Sequence, residues 1–204
     1  MRGTNSGYFV FRFTETNSIY DVQRCQYVDF DDWTNAFAFG SAFSNNNWQT
    51  RNARVTTNSD AQAAVWRGRS CLLSESNTPA YVLSPRLTNG IGEISFRYRN
   101  WETNGLTAGA LALDVGTSTN GPWTRAAEIT NILTVDYRYF SLVYSDRYKS
   151  YLRISSTNAG RARICIDEIV VADPGAGAAF TNISHSPANP TVTNTVSISA
   201  TVTP

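Results

Sequence analysis

The chain has 204 residues, which is enough for one well-buried domain with short flanking segments. Charged residues make up only 16% and the formal net charge is +1, so composition gives no electrostatic reason to expect a nucleic-acid partner. The hydrophobic fraction is 42%, but no apolar run has the length needed to span a bilayer, so we expect no membrane partner.

The N-terminal part predicts two strands. Residues 1–24 contain the apolar run Tyr8–Phe13, which predicts an N-terminal strand or the tail of a preceding domain. A second strand is predicted over 25–30, at the start of the main domain, and it ends in an acidic corner formed by Asp29, Asp31 and Asp32. Residues 33–50 mix aromatic side chains with Asn, Ser and Gly and predict a long loop.

The middle of the chain, from 52 to 173, alternates apolar and polar residues with a period of two. This alternation is typical of strands that have one face in a core and the other in water. Turn pairs such as Asn89-Gly90 separate the runs. The predicted strands lie near 52–56, 61–66, 70–74, 80–83, 91–99, 108–115, 123–129, 135–143, 150–156 and 162–171. We therefore predict an all-β domain over 25–173.

The composition changes after Asp173. Residues 174–180, rich in Gly and Ala, predict a flexible linker. Residues 181–204 contain one alternating run, 195–203, which has no predicted partner strand. Two interpretations follow: the first strand of a next, immunoglobulin-like domain, or a strand donated to a neighbouring domain or an identical subunit.

The cysteines are three in number, so they cannot all pair within the chain. Cys71 and Cys165 lie in strand-like runs, and we expect buried, reduced thiols that act as small hydrophobic residues. A disulfide between Cys25 and Cys71 is the alternative.

Residues 25–173 resemble the jelly-roll modules of large secreted bacterial proteins, of the cleaved-adhesin or MAM-like type, with a more distant likeness to carbohydrate-binding modules. The matching segments are Phe30-Asp31, Ala80–Pro85, Ile94–Trp101, Leu113–Trp123, Tyr151–Ile154 and Ile166–Ile169. The tail from Thr181 is similar to the start of bacterial immunoglobulin-like repeats. The resemblance implies a jelly-roll β-sandwich of two antiparallel sheets with a C-terminal extension strand. It also implies a secreted or cell-surface location.

A structural calcium ion is also implied by the resemblance. In related jelly rolls, calcium ties the opening acidic corner to the last strand, and the matching positions here are Asp31 and Asp167, with Asp29 close by. Calcium takes six to eight oxygen ligands, so these carboxylates would need backbone carbonyls as well. The alternative is that they are turn and edge carboxylates paired with arginines.

A sugar-binding aromatic surface is the second candidate site. The chain has five tryptophans, and an exposed ring can stack on the apolar face of a sugar. We select Trp33, Trp66 and Trp101 as candidates, together with Arg67, which follows Trp66. Trp48 and Trp123 are assigned to the core.

Catalysis finds no support in the residue pattern. His185 is the only histidine and has no neighbouring serine or carboxylate at a known catalytic spacing. We therefore expect a non-catalytic binding or adhesion module for carbohydrate or another surface polymer. The alternatives are a structural subunit of an extracellular filament or surface layer that assembles by strand exchange, and an accessory domain of a larger secreted hydrolase.

Overall fold

The structure is a computed structural model that describes residues 8–12, 20–33, 39, 42–57, 68–74, 79–101, 107–157, 162–174, 178–186 and 197–203. In these residues no helix is long and apolar enough to cross a membrane. The strands are β1 (Tyr8–Arg12), β2 (Tyr20–Val28), β3 (Ala42–Asn45), β4 (Trp48–Arg51), β5 (Ala53–Thr57), β6 (Arg69–Leu73), β7 (Tyr81–Leu83), β8 (Ile91–Asn100), β9 (Gly109–Gly116), β10 (Trp123–Ile132), β11 (Arg138–Asp146), β12 (Tyr151–Ser156), β13 (Ile164–Ala172), β14 (Ala178–Ser186) and β15 (Ser197–Thr203).

The strands form two sheets, and every strand pair among them is antiparallel. One sheet has nine strands. Six of them follow the order β11-β8-β13-β2-β14-β15; in addition, β1 pairs with β2, β6 pairs with β13, and β5 pairs with β6. The other has six strands in the order β10-β9-β12-β7-β4-β3. The prediction of an all-β jelly-roll sandwich is confirmed.

The nine-stranded sheet divides at β13. The first part of this strand, Ile164–Ile166, pairs with β6, and its last part, Ile169–Ala172, pairs with β2. The other edge of β13 pairs with β8 along most of its length. A bulge between Asp167 and Val170 separates the two parts, and Glu168 there has a φ of 48°. A bulge bends a strand, which fits the change of partner at this point.

The core lies between the two sheets and follows the alternation seen in the sequence. In β12, Leu152 and Ile154 are buried in the core, whereas Arg153 between them lies on the outer face. Trp48 is only 2% exposed and belongs to this core, as predicted. Burial of the apolar face is the main stabilising term for such a sandwich.

A second, smaller hydrophobic cluster covers part of the outer face of the nine-stranded sheet. It contains Leu72, Trp101 and Cys165, with Phe39 and Tyr137 packed against them. All three cysteines are buried and none forms a disulfide, which confirms the predicted reduced thiols.

The predicted loop over 33–50 is wrong, because β3 and β4 form a hairpin there. The two residues between the strands, Asn46 and Asn47, have φ values of 49° and 64°. Two successive positive φ angles make a type I′ turn, whose twist matches that of the flanking strands. An Asn-Asn pair adopts this turn because asparagine tolerates the left-handed region.

The ends of the chain also differ from expectation. Strand β2 begins at Tyr20, so it crosses the predicted boundary between residues 24 and 25. The predicted linker over 174–180 overlaps β14, which starts at Ala178. β15 corresponds to the predicted run over 195–203, but it pairs with β14, and β14 pairs with β2. The expectation that this run has no partner strand in the chain is therefore wrong, because the small Ala178 and Ala179 hide the alternation of β14 in the sequence.

Two central strands need a smaller revision. The strand predicted over 135–143 is β11, Arg138–Asp146, which starts and ends three residues later. The strand predicted over 61–66 lies outside the described residues.

Candidate functional site

Two of the tryptophans predicted to bind sugar are buried, contrary to that expectation. Trp33 is 2% exposed and packs edge-on against Phe30, with ring centroids 5.4 Å apart. Trp101 is 4% exposed and lies in the outer cluster, with the Arg54 guanidinium 5.9 Å from its ring centroid. Trp33 belongs to the core between the sheets and Trp101 to the outer cluster, so neither ring presents a face to solvent. Trp66 and Arg67 lie outside the described residues.

The residues predicted to bind calcium do not form a complete donor set among the described residues. There, no group of three or more His, Cys, Asp or Glu side chains is placed to hold a metal ion. The carboxylate of Asp31 accepts a hydrogen bond from the Arg69 backbone N–H at 2.8 Å, and that of Asp29 accepts one from the Asp31 N–H at 3.2 Å. Asp167 is fully buried, and one of its oxygens accepts the Ser70 hydroxyl at 3.0 Å. Calcium binding here stays a prediction, for which metal analysis of the purified chain is the test.

Asp167 instead belongs to a buried polar network on the nine-stranded sheet. Tyr137 donates its hydroxyl to Ser70 Oγ at 2.8 Å, and Ser70 donates to Asp167. Burial raises the pKa of Tyr137, and it also raises the pKa of Cys165 to about 12. The Tyr137 hydroxyl and the Cys165 thiol therefore keep their protons at neutral pH. The hydrogen bonds of the network connect β6, β13 and the residue that precedes β11, so its role is structural.

The outer face of the six-stranded sheet carries a different set of side chains. Register places Asp114 of β9 opposite both Arg125 of β10 and Arg153 of β12. The same row continues through Leu83 to Gln49. A second row crosses the sheet beside it and contains Glu128, Ala112, Ser155, Tyr81 and Arg51. We call the outward-facing polar and aromatic residues of these rows, with Trp123 beside them, the polar platform; its members are Gln49, Arg51, Tyr81, Asp114, Trp123, Arg125, Glu128, Ser155 and Arg153.

Asp114 organises one end of the polar platform. It is 4% exposed, and its two oxygens accept from Arg125 Nε at 2.6 Å and from Arg153 Nη2 at 2.8 Å. Arg125 also contacts Glu128, with Nη1 and Oε2 3.4 Å apart. Charge-assisted hydrogen bonds of this kind fix both partners, so the two guanidinium groups are held in place before any ligand arrives.

Trp123 also contacts Arg153, on the guanidinium face. The Arg153 guanidinium carbon lies 4.4 Å from the Trp123 ring centroid, within the range of a cation–π contact. The ring approaches the backbone of Gly116, where an added Cβ would be 3.0 Å from Trp123 Cε3. Trp123 is half-buried on the outer face and was wrongly assigned to the core.

A groove of about 390 Å³ borders the other end of the polar platform. Tyr81, Gln49 and Arg51 line one part of it, and Ala42, Phe43, Ser44 and Thr50 line the rest. Four strand spacings separate β10 from β4, which gives about 19 Å from the Trp123 end to the groove. The face is therefore long enough for several units of a polymer.

Two further grooves lie elsewhere in the described part of the chain. One, of about 540 Å³, lies along residues 129–134 and includes Tyr98, Arg138 and Tyr139. The other, of about 580 Å³, lies at the turn 144–148 beside Pro174. Both are built largely on turns and strand ends, whereas the polar platform stands on paired strands.

The polar platform was not predicted from the sequence, because its residues become neighbours only through the pairing register of different strands. Arg125 lies 11 residues from Asp114, and Arg153 lies 39 residues from it. The only local signal is the alternation in β9 and β12, which puts Asp114 and Arg153 on the outer face of their strands.

The chain matches no protein-family model and no curated protein sequence. Among solved structures it is similar to the K2 cleaved adhesin domain of Lys-gingipain, with 12% sequence identity and a TM-score of 0.56, over 72% of this chain and 98% of that one. It is also similar to the K1 cleaved adhesin domain of Lys-gingipain from Porphyromonas gingivalis W83, with 13% identity and a TM-score of 0.55, over 74% and 99% of the two chains. TmCBM61 in complex with beta-1,4-galactotriose matches at 10% identity and a TM-score of 0.46, over 69% and 100%. The predicted resemblance to cleaved-adhesin jelly rolls is therefore confirmed, and at these identities it is a likeness of fold.

Proposed function

We propose that this chain is a non-catalytic module that binds polysaccharide or a surface glycan through the polar platform and its groove. The proposal depends on one observation: Tyr81, Gln49 and Arg51 line the same groove of about 390 Å³. On the same face of the sheet, Asp114 holds Arg125 and Arg153 in place. Ligand sites of this volume with a few well-placed polar groups are typical of small-molecule and sugar recognition.

The chemistry of the polar platform suits sugar units. Tyr81 is half-buried, so its ring offers an apolar surface and its hydroxyl a polar one. Gln49 and Arg51 are exposed and supply donors and acceptors for hydroxyl groups. Strands hold all these side chains, which keeps the entropy lost on binding small.

Affinity gel electrophoresis against a panel of polysaccharides tests this function. We expect retardation of the wild-type chain by at least one polymer and an affinity at least tenfold lower for Tyr81→Ala. The matched control is Tyr139→Ala, because Tyr139 is 60% exposed and lines the separate groove of about 540 Å³ along residues 129–134. Retention of no polymer contradicts the function, and loss of binding in the Tyr139 variant alone moves the site to the other groove.

The proposal includes adhesion to such a polymer and a secreted or cell-surface location. We prefer it to the filament-subunit alternative because β15 pairs with β14 within the chain. Size-exclusion chromatography separates the two, since a filament subunit predicts concentration-dependent assembly and a binding module predicts a monomer. As an accessory domain of a hydrolase, the chain would bind the substrate polymer without cleaving it.

A further inference from the structure

The charges on the polar platform do not balance. Asp114 is shared by Arg125 and Arg153, and Glu128 also contacts Arg125. Two carboxylates thus face three guanidinium groups. The third belongs to Arg51, whose exposed side chain forms no ion pair or hydrogen bond with the described residues.

The groove places this unpaired arginine where a ligand would lie. Arg51 follows Trp48 and Thr50, which point into the core, so the alternation of β4 directs Arg51 outward beside Tyr81. On the opposite sheet, Arg97 pairs with Glu168 at 2.8 Å, and Arg99 donates to the carbonyls of its own strand end. Those two arginines are engaged within the protein, whereas Arg51 is available.

Guanidinium groups bind carboxylates in a planar, two-pronged geometry that a neutral hydroxyl cannot match. A second cationic group, Arg153, lies two strands away from Arg51 and in the neighbouring row, at about 12 Å by strand spacing and rise. Two cationic groups at this separation on one face suit a chain molecule that carries negative groups along its length.

We propose that the polymer bound at the polar platform is acidic, a polysaccharide whose sugar units carry carboxylates, and that Arg51 binds one of these carboxylates. This inference rests on the proposed function and names the class of ligand. An ion pair at an exposed groove is weakened by salt, so binding should fall as ionic strength rises.

The test compares polygalacturonate with the same polymer after full methyl esterification, which removes the charge and keeps the backbone. We expect at least tenfold tighter binding of the acid form at low salt and a loss of most of this preference at 0.5 M salt. Arg51→Gln should weaken binding of the acid form about tenfold and leave that of the ester unchanged. The control is Arg138→Gln, an exposed arginine on β11 of the other sheet, which should change neither.

The remaining outcomes distinguish a failure of the acidic ligand from a failure of the proposed function. Equal binding of acid and ester, or binding only of a neutral polymer from the panel, overturns the acidic ligand and leaves the proposed function standing. Equal weakening by Arg138→Gln, together with equally tight binding of dextran sulfate, shows unspecific attraction of polyanions and also overturns it. Failure to bind any polymer overturns the proposed function itself.

Discussion

The Arg153 guanidinium lies over the Trp123 ring, with its carbon 4.4 Å from the ring centroid. The pair joins β12 to β10 across β9, so it fixes a charged group at a defined height above the sheet. The ring thus acts on a ligand mainly through the arginine that it positions.

Replacement of Trp123 by Ala should weaken polymer binding about tenfold, because Arg153 loses the ring that orients it. The free energy of unfolding should fall by about 1–2 kcal/mol, since the ring is only half-buried. Trp123→Phe keeps an aromatic face and should retain most of the affinity. Isothermal titration calorimetry and denaturant melts measure the two effects, and unchanged affinity in Trp123→Ala would remove this end of the platform from the site.

Replacement of Asp114 by Asn should lower the free energy of unfolding by about 1–3 kcal/mol, because two arginines lose the carboxylate that they share in a nearly buried position. The matched control is Glu128→Gln. Glu128 and Arg125 are 45% and 46% exposed, so that pair should contribute less than about 1 kcal/mol. Urea denaturation of both variants gives the comparison, and equal losses would contradict the structural role given to Asp114.

Trp33 tests the reassignment of a predicted sugar-binding residue to the core. Trp33→Ala should cost about 3–5 kcal/mol of stability, as expected for a large buried side chain. Tyr148→Ala should change stability by less than about 0.5 kcal/mol, because Tyr148 is 86% exposed. If Trp33→Ala melts like the wild-type chain yet fails to bind polymer, then Trp33 is a binding residue after all.

The buried thiols predict a loss of stability in alkali. Cys165 has its pKa raised by burial from the ordinary 9.0 to about 12, and burial raises that of Cys71 as well. Above pH 9 the unfolded chain releases these protons while the folded chain keeps them, so the free energy of unfolding falls as the pH rises from about 9 to 12. The slope is at most about 1.4 kcal/mol per pH unit for each such group.

Melting temperature against pH measures this slope. Thiol titration should find no fast-reacting cysteine in the folded chain at pH 8 and three after denaturation, since all three are buried and none forms a disulfide. A fast-reacting thiol under native conditions would contradict the packing of that cysteine.

The sequence predicted most of the sandwich because alternation is a local property. The runs that became β8, β9, β12 and β13 each show it, and each was placed within two residues of its true ends. The β3–β4 hairpin was missed because its turn is Asn46-Asn47, which contains no glycine to indicate a positive φ.

The candidate site could not be predicted in the same way. Exposure of a tryptophan depends on what covers it, and the ring of Trp101 packs in a cluster with Leu72 and Cys165, which are distant in sequence. The meeting of Asp114 with Arg153 depends on strand order and register, which alternation leaves open. Local patterns therefore predict which face of a strand a side chain lies on. Which residues of other strands lie beside it depends on strand pairing, which the sequence pattern does not specify.

The central claim is that ligand contacts the outer face of the six-stranded sheet. The most direct measurement is a two-dimensional ¹⁵N–¹H spectrum of the tryptophan indole groups, recorded while an oligosaccharide fragment of the retained polymer is added. The account predicts that the Trp123 resonance, assigned with Trp123→Phe, shifts saturably, whereas those of the buried Trp33 and Trp48 stay in place. An unmoved Trp123 resonance at saturation, confirmed by calorimetry, would contradict it.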